Sequence, residues 1–112
     1  TSLKKIPSEN ELSFGKDFTD HMFIMDYDPE NGWHNPRIQP YDAIPIEPGL
    51  ITFHYGQTVF DGLKAYYGID GKIRFFRVMD YLRRFNNSAK GLCIPEFNID
   101  ELYEYLLQVI ML

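Results

Sequence analysis

The chain has 112 residues, a net charge of −5, and a composition that is 45% hydrophobic and 16% aromatic. That is enough for one globular domain with a real core, and it excludes a disordered chain and a basic nucleic-acid surface. No apolar run approaches the roughly 18 residues of a membrane span.

Residues 1–13 are polar and are expected to form an arm that is mobile or packs late, leaving 14–112 as the domain proper. The stretch TSLKKIPSENELSFG carries two lysines but no apolar h-region after them, so it does not read as a signal peptide. HMFIMDY (21–27) is strand-like. DPENGWHNPRIQP (28–40) holds three prolines, Asn31-Gly32 and Asn35-Pro36, and is expected to be turn and loop. YDAIPIEPG (41–49) adds two prolines and suits an extended edge or connector. LITFHYG (50–56) and TVFDGLKAYYG (58–68) read as extended segments. Asp70-Gly71, set between AYY and KIRFFR, is a hairpin signal. The middle of the chain is therefore expected to be an antiparallel sheet.

The period then changes. Tyr81, Leu82, Phe85 and Ala89 recur at helical spacing, with Gly91 placed as the C′ residue and Pro95 beyond it. A second helix is expected from Asn98 or Asp100, because Asn98 and Glu101 have capping-box spacing. Its apolar stripe is Leu102, Tyr105, Leu106, Val109 and Ile110. The run VIML gives that helix no stop signal, which suggests the front part of a longer protein. The alternative is a complete small domain whose last helix docks fully. The expected fold class is α+β, an antiparallel sheet packed by two helices.

Few residue types form a chemical constellation. His21, His34 and His54 lack the i, i+4 spacing of a helical metal site, and Asp17, Asp20, Asp26 and Asp28 lack the glycine turn and terminal glutamate of a calcium loop. No metal site is expected. Cys93 is the single cysteine, which favours a reducing, cytoplasmic setting, and its apolar context suggests a buried structural thiol. Ser88 has no histidine nearby in sequence. Neither Lys64 nor Lys90 sits where a Schiff-base lysine is convincing. Arg77, Arg83 and Arg84 are more suggestive, because a planar guanidinium fork suits phosphate. Periodicity puts Arg83 and Arg84 on either side of the core stripe and does not choose between them.

Three stretches together carry a resemblance: SFGKDFTDHMF (13–23), FHYGQTVFDGLKAYYG (53–68) and IRFFRVMDYLRRFNNSAKGLCIP (73–95). In this order they resemble the N-terminal part of a branched-chain amino-acid aminotransferase, a fold-type IV pyridoxal-phosphate enzyme. The resemblance covers nearly the whole chain from Phe14. Asp61 stands where the family motif usually has Glu, a change of one methylene. The resemblance implies the cofactor pyridoxal 5'-phosphate. Its pattern FR-x-x-x-x-x-x-R, started here by Phe76-Arg77, selects Arg84 over Arg83 as a ligand of the cofactor phosphate. It also implies that Phe14, Tyr55 and Phe60 wall the pocket for the substrate side chain. The family's Schiff-base lysine would lie beyond residue 112, so no catalytic residue is expected in this chain and no activity from it alone.

The resemblance further implies the small N-terminal domain of a two-domain enzyme, and a cytoplasmic homodimer. Its substrates would be branched-chain amino acids and 2-oxo acids, with transfer of the amino group of leucine, isoleucine or valine to 2-oxoglutarate. A different class of function is a stand-alone, non-catalytic binding domain of the same fold. Neither a nucleic-acid nor a membrane partner is expected.

Overall fold

The computed structural model describes residues 4, 5 and 7–112, so part of the arm at 1–13 lies outside the described residues. The structure is α+β, as expected, but the described residues form two small antiparallel sheets where one is expected from the sequence. The chain divides into two compact units: one runs to Pro45 and includes Tyr105–Leu112, and the other is Ile46–Glu104.

In the first unit, a short 3-10 turn at Glu9–Glu11 precedes strand β1, His21–Asp28, and strand β2, Gly32–Pro40. The segment expected to be loop is thus mostly a strand. Its turn chemistry is confined to 28–32, where Asp28 Oδ1 accepts the backbone N–H of Glu30 at 3.0 Å and of Asn31 at 2.8 Å. Pro36 and Pro40 are tolerated because β2 has one pairing partner, so a missing N–H on its free edge breaks no ladder bond. Pairing runs from His21↔Pro40 to Asp28↔Gly32 and slips between Ile24 and Asp26. The extra residue falls on β2, where Asn35 takes φ 53°, a left-handed conformation asparagine adopts more readily than most residues. Arg37 bridges the slip: its Nη1 donates to Asp26 Oδ2 at 2.8 Å, and Asn35 Nδ2 donates to the same oxygen at 3.1 Å. Tyr27 and Trp33, paired in register, meet edge to face at 5.2 Å, and Phe23 stacks on Tyr105 at 4.9 Å. Lys4 Nζ lies 4.8 Å from the Tyr41 ring centre, and its backbone N–H donates to Asp20 Oδ1 at 3.1 Å.

In the second unit, residues 50–56 are not extended. They form helix α1, Ile51–Tyr55, which stops at Gly56 in the left-handed region at φ 64°. Glycine takes that conformation without the Cβ penalty, so it reverses the chain where a strand had been read. Thr52 Oγ1 donates to Gln57 O at 3.0 Å and His54 Nε2 lies 2.7 Å from Pro48 O, bonds that hold the single turn. The run expected to be extended over 58–68 pairs only at strand β3, Ala65–Tyr67, against strand β4, Ile73–Phe75. The Asp70-Gly71 hairpin between them is as expected.

Helix α2, Val78–Gly91, presents Leu82 and Ala89 inward; these are the buried hydrophobic residues among those described. Gly91 belongs to the last turn and is not the C′ residue. The reversal comes at Cys93, with φ 56°. Ile94 N–H donates to Ala89 O at 2.9 Å and Cys93 N–H to Lys90 O at 3.1 Å, the paired bonds of a Schellman end. Cys93 is consequently exposed, not the buried thiol that its apolar neighbours suggested. Phe97 follows, clamped by Asn86: Nδ2 donates to Phe97 O at 3.1 Å, and Phe97 N–H donates to Oδ1 at 3.0 Å. Helix α3, Ile99–Ile110, starts as expected from Asn98, whose Oδ1 accepts from Asp100 N–H at 3.0 Å and Glu101 N–H at 3.1 Å. Among the described residues, no helix is long and apolar enough to cross a membrane.

Candidate functional site

The residue after β4, the N-cap of α2 and the first turns of that helix build a small cleft. Phe76, Arg77, Asp80, Tyr81 and Arg84 line it, and it holds about 230 Å³. Residues 77, 80, 81 and 84 fall on one helical face because they are three, four and seven apart. Arg77 is left-handed, at φ 52°, as it turns from strand to helix.

Charge is distributed so that the three arginines are not equivalent. Asp80 accepts from Arg77 Nε at 2.7 Å and from Arg83 Nη1 at 3.0 Å. These bonds, that from Arg77 first, hold the Asp80 carboxyl below the usual carboxylate range. Arg83 therefore spends a donor on its own helix and does not line the cleft. Arg84 does, and it reaches Asp61 instead. Asp61 accepts from Arg84 Nε at 2.8 Å and from Arg84 Nη2. The bond from Arg84 is the main cause that holds the Asp61 carboxyl low. The Arg84 Cζ also stands 4.8 Å from the Tyr81 ring centre.

Asp61 is the residue that sequence reasoning missed, having been passed over as a conservative replacement. The available signal was its setting. It is an acid inside an aromatic run whose spacing reads as extended, and in a run of that kind successive side chains are expected to face opposite ways. Phe60 is 82% exposed whereas the Asp61 side chain is 11% exposed.

Tyr55 ends α1 and is 88% exposed; Phe60 lies in the irregular stretch after it. Phe14 belongs to the first unit and is exposed. Lys64 is exposed just ahead of β3. His34 Nδ1 sits 2.9 Å from Gly32 O and its Nε2 3.3 Å from Asp28, within the β1–β2 turn. Among the described residues, no group of three His, Cys, Asp or Glu could hold a metal ion.

None of the cleft's lining residues is a serine, cysteine or lysine. It offers guanidinium donors beside apolar ring faces, which suits a tetrahedral oxyanion.

No protein-family model matches the chain. Curated relatives do. The chain is 47% identical over 111 residues to "Branched-chain-amino-acid aminotransferase 2" of Bacillus subtilis, a match that takes in 98% of this chain and 31% of the relative. It is 41% identical over 110 residues to the cytosolic branched-chain-amino-acid aminotransferase of Rattus norvegicus, covering 98% of this chain and 27% of that one. Against the cytosolic enzyme of Saccharomyces cerevisiae it is 43% identical over 93 residues, or 83% of this chain and 25% of that one. The chain thus spans under a third of the length of these relatives. The family read from its motifs is the one its relatives carry: the chain matches the N-terminal region of branched-chain-amino-acid aminotransferases.

Proposed function

We propose that this chain is the N-terminal part of a branched-chain amino-acid aminotransferase, and that the whole protein moves the amino group of leucine, isoleucine or valine to 2-oxoglutarate. The observation that carries this reading is the 47% identity to the Bacillus subtilis aminotransferase over 98% of the chain. The described residues would be the small domain of a two-domain, fold-type IV enzyme that works as a cytoplasmic homodimer. They are expected to be inactive alone, a reading supported by a cleft lining that holds no lysine.

Pyridoxal phosphate is the cofactor of this reading, and it supplies the electron sink for amino-group transfer. The residues fit its phosphate end. Arg84 faces the cleft with donors to spare, and the cleft is small enough that only one end of such a molecule would enter it. Arg84 is proposed to hold the phosphate. Phe14, Tyr55 and Phe60 are proposed to wall the pocket for the branched side chain, where each buried methylene contributes about 0.8 kcal/mol. Their exposure suits residues that meet a ligand.

The test uses the full-length protein. Transfer from leucine, isoleucine or valine to 2-oxoglutarate should depend on added pyridoxal phosphate. Arg84→Ala should weaken pyridoxal phosphate binding by about tenfold or more, the loss expected for a charge-assisted phosphate contact. Unchanged cofactor affinity would remove Arg84 from the site, and absence of transfer with all three amino acids would remove the function.

A further inference from the structure

Arg84 is tied to a carboxylate 23 positions away in the chain, that of Asp61, which stands where the family motif usually has Glu. The Asp61 side chain is 11% exposed and the Arg84 side chain 58% exposed, so the acid is the sheltered partner and the base the presented one. A guanidinium carries five N–H donors in one plane. Asp61 occupies the Nε–Nη2 edge. Both hydrogens of Nη1 and the second hydrogen of Nη2 remain, and they form a second edge with the spacing of an oxyanion fork. The Tyr81 ring, 4.8 Å from Cζ, supports the group from its face. A long side chain free to rotate would lose rotamer entropy on binding an anion, and a guanidinium held at one edge and one face has already lost it.

We infer that Asp61 is a positioning residue, which holds Arg84 so that the free edge of its guanidinium meets the phosphate group. This rests on the reading of Arg84 as a phosphate ligand. Asp61 acts through Arg84 and does not touch the phosphate. Its negative charge by itself opposes a phosphate, and orientation outweighs that opposition. The sign of the mutational effect therefore decides between positioning and competition.

The experiment titrates the full-length apo-protein with pyridoxal phosphate and, separately, with pyridoxal, which lacks the phosphate, following the absorbance of the bound cofactor. Asp61→Ala should weaken pyridoxal phosphate binding by about tenfold, the lower end of what outer partners of a bound ion's ligands contribute. Pyridoxal binding should stay unchanged. Asp61→Glu, which keeps the carboxylate, should recover most of the loss. If Asp61→Ala does not fold, Asp61→Asn keeps the shape and one acceptor and should show the same selective weakening. Equal weakening of both ligands would mark a general structural role and overturn the inference. Unchanged or tighter pyridoxal phosphate binding in Asp61→Ala, with weakened binding in Arg84→Ala, would overturn the role of Asp61 alone. Unchanged binding in Arg84→Ala would overturn both readings.

Discussion

Asn86→Ala should loosen the junction between α2 and α3 without touching the arginine cleft. The half-buried Asn86 amide makes two bonds with one backbone residue, donating to Phe97 O at 3.1 Å and accepting from Phe97 N–H at 3.0 Å. It thereby satisfies both main-chain groups of a residue that lies outside any helix or strand. Each bond contributes about 1 kcal/mol net, so the loss is about 2 kcal/mol, and it grows where the stranded groups stay out of water. The Phe85 ring, 5.2 Å from the Phe97 ring, remains as an apolar hold and limits the opening to this junction. In the full-length protein, 2 kcal/mol corresponds to roughly 30-fold faster exchange at the Phe97 amide when opening is local. Hydrogen exchange read by mass spectrometry on the peptide spanning 93–98 measures it. Asn86→Asp keeps the acceptor but sets an oxygen against Phe97 O, so it should exchange at least as fast. Wild-type exchange in both variants would refute the clamp.

Two further outcomes follow from local geometry. A Cβ on Gly68 would collide with the paired side-chain ends of Arg74 and Asp70 and stand 3.2 Å from the backbone oxygen of Lys72. Gly68→Ala should therefore disturb the β3–β4 hairpin by about 1–3 kcal/mol, seen as increased exchange over 65–75, while α2 keeps its protection. In the β1–β2 hairpin, the bond from Arg37, with help from Asn35, holds the Asp26 carboxyl below its ordinary range. A lowered folded pKa means that the stabilisation is complete above the unfolded value of about 4 and is lost as pH falls through the folded one. An NMR titration should place Asp26 below an unstructured aspartate, and Arg37→Ala should move it back up; no movement would dismiss the pair.

Much of this protein follows from local pattern. The periodicity of Tyr81, Leu82, Phe85 and Ala89 fixes α2, because an apolar stripe at 3.6-residue spacing has no other way to turn inward. Asn98 starts α3 because its side chain caps N–H groups two and three residues ahead, a contact within one turn. Asp70-Gly71 makes its hairpin for the same local reason. The order of the three motif stretches points to the aminotransferases that the curated relatives then name.

Other features depend on groups far apart in the chain, or on a choice that composition leaves open. Strand β2 was obscured by its prolines, which count against a central strand but not against one with a free edge; only the pairing partner tells the two apart. Residues 51–55 have the aromatic and β-branched content of a strand, yet the left-handed Gly56 and the bonds to Pro48 and Gln57 close them into a helical turn. Cys93 is exposed because the end of α2 reverses at that residue, and apolar neighbours in sequence do not set which way a reversal points. Arg83 and Arg84 look alike on a helical wheel. The resemblance to the family pattern points to Arg84, but the physical difference between them is that Asp80 engages one and Asp61 the other. The ion pair of Asp61 with Arg84 joins residues 23 positions apart, and no spacing rule reaches that far, because it exists only once the irregular stretch after α1 has been laid beside α2.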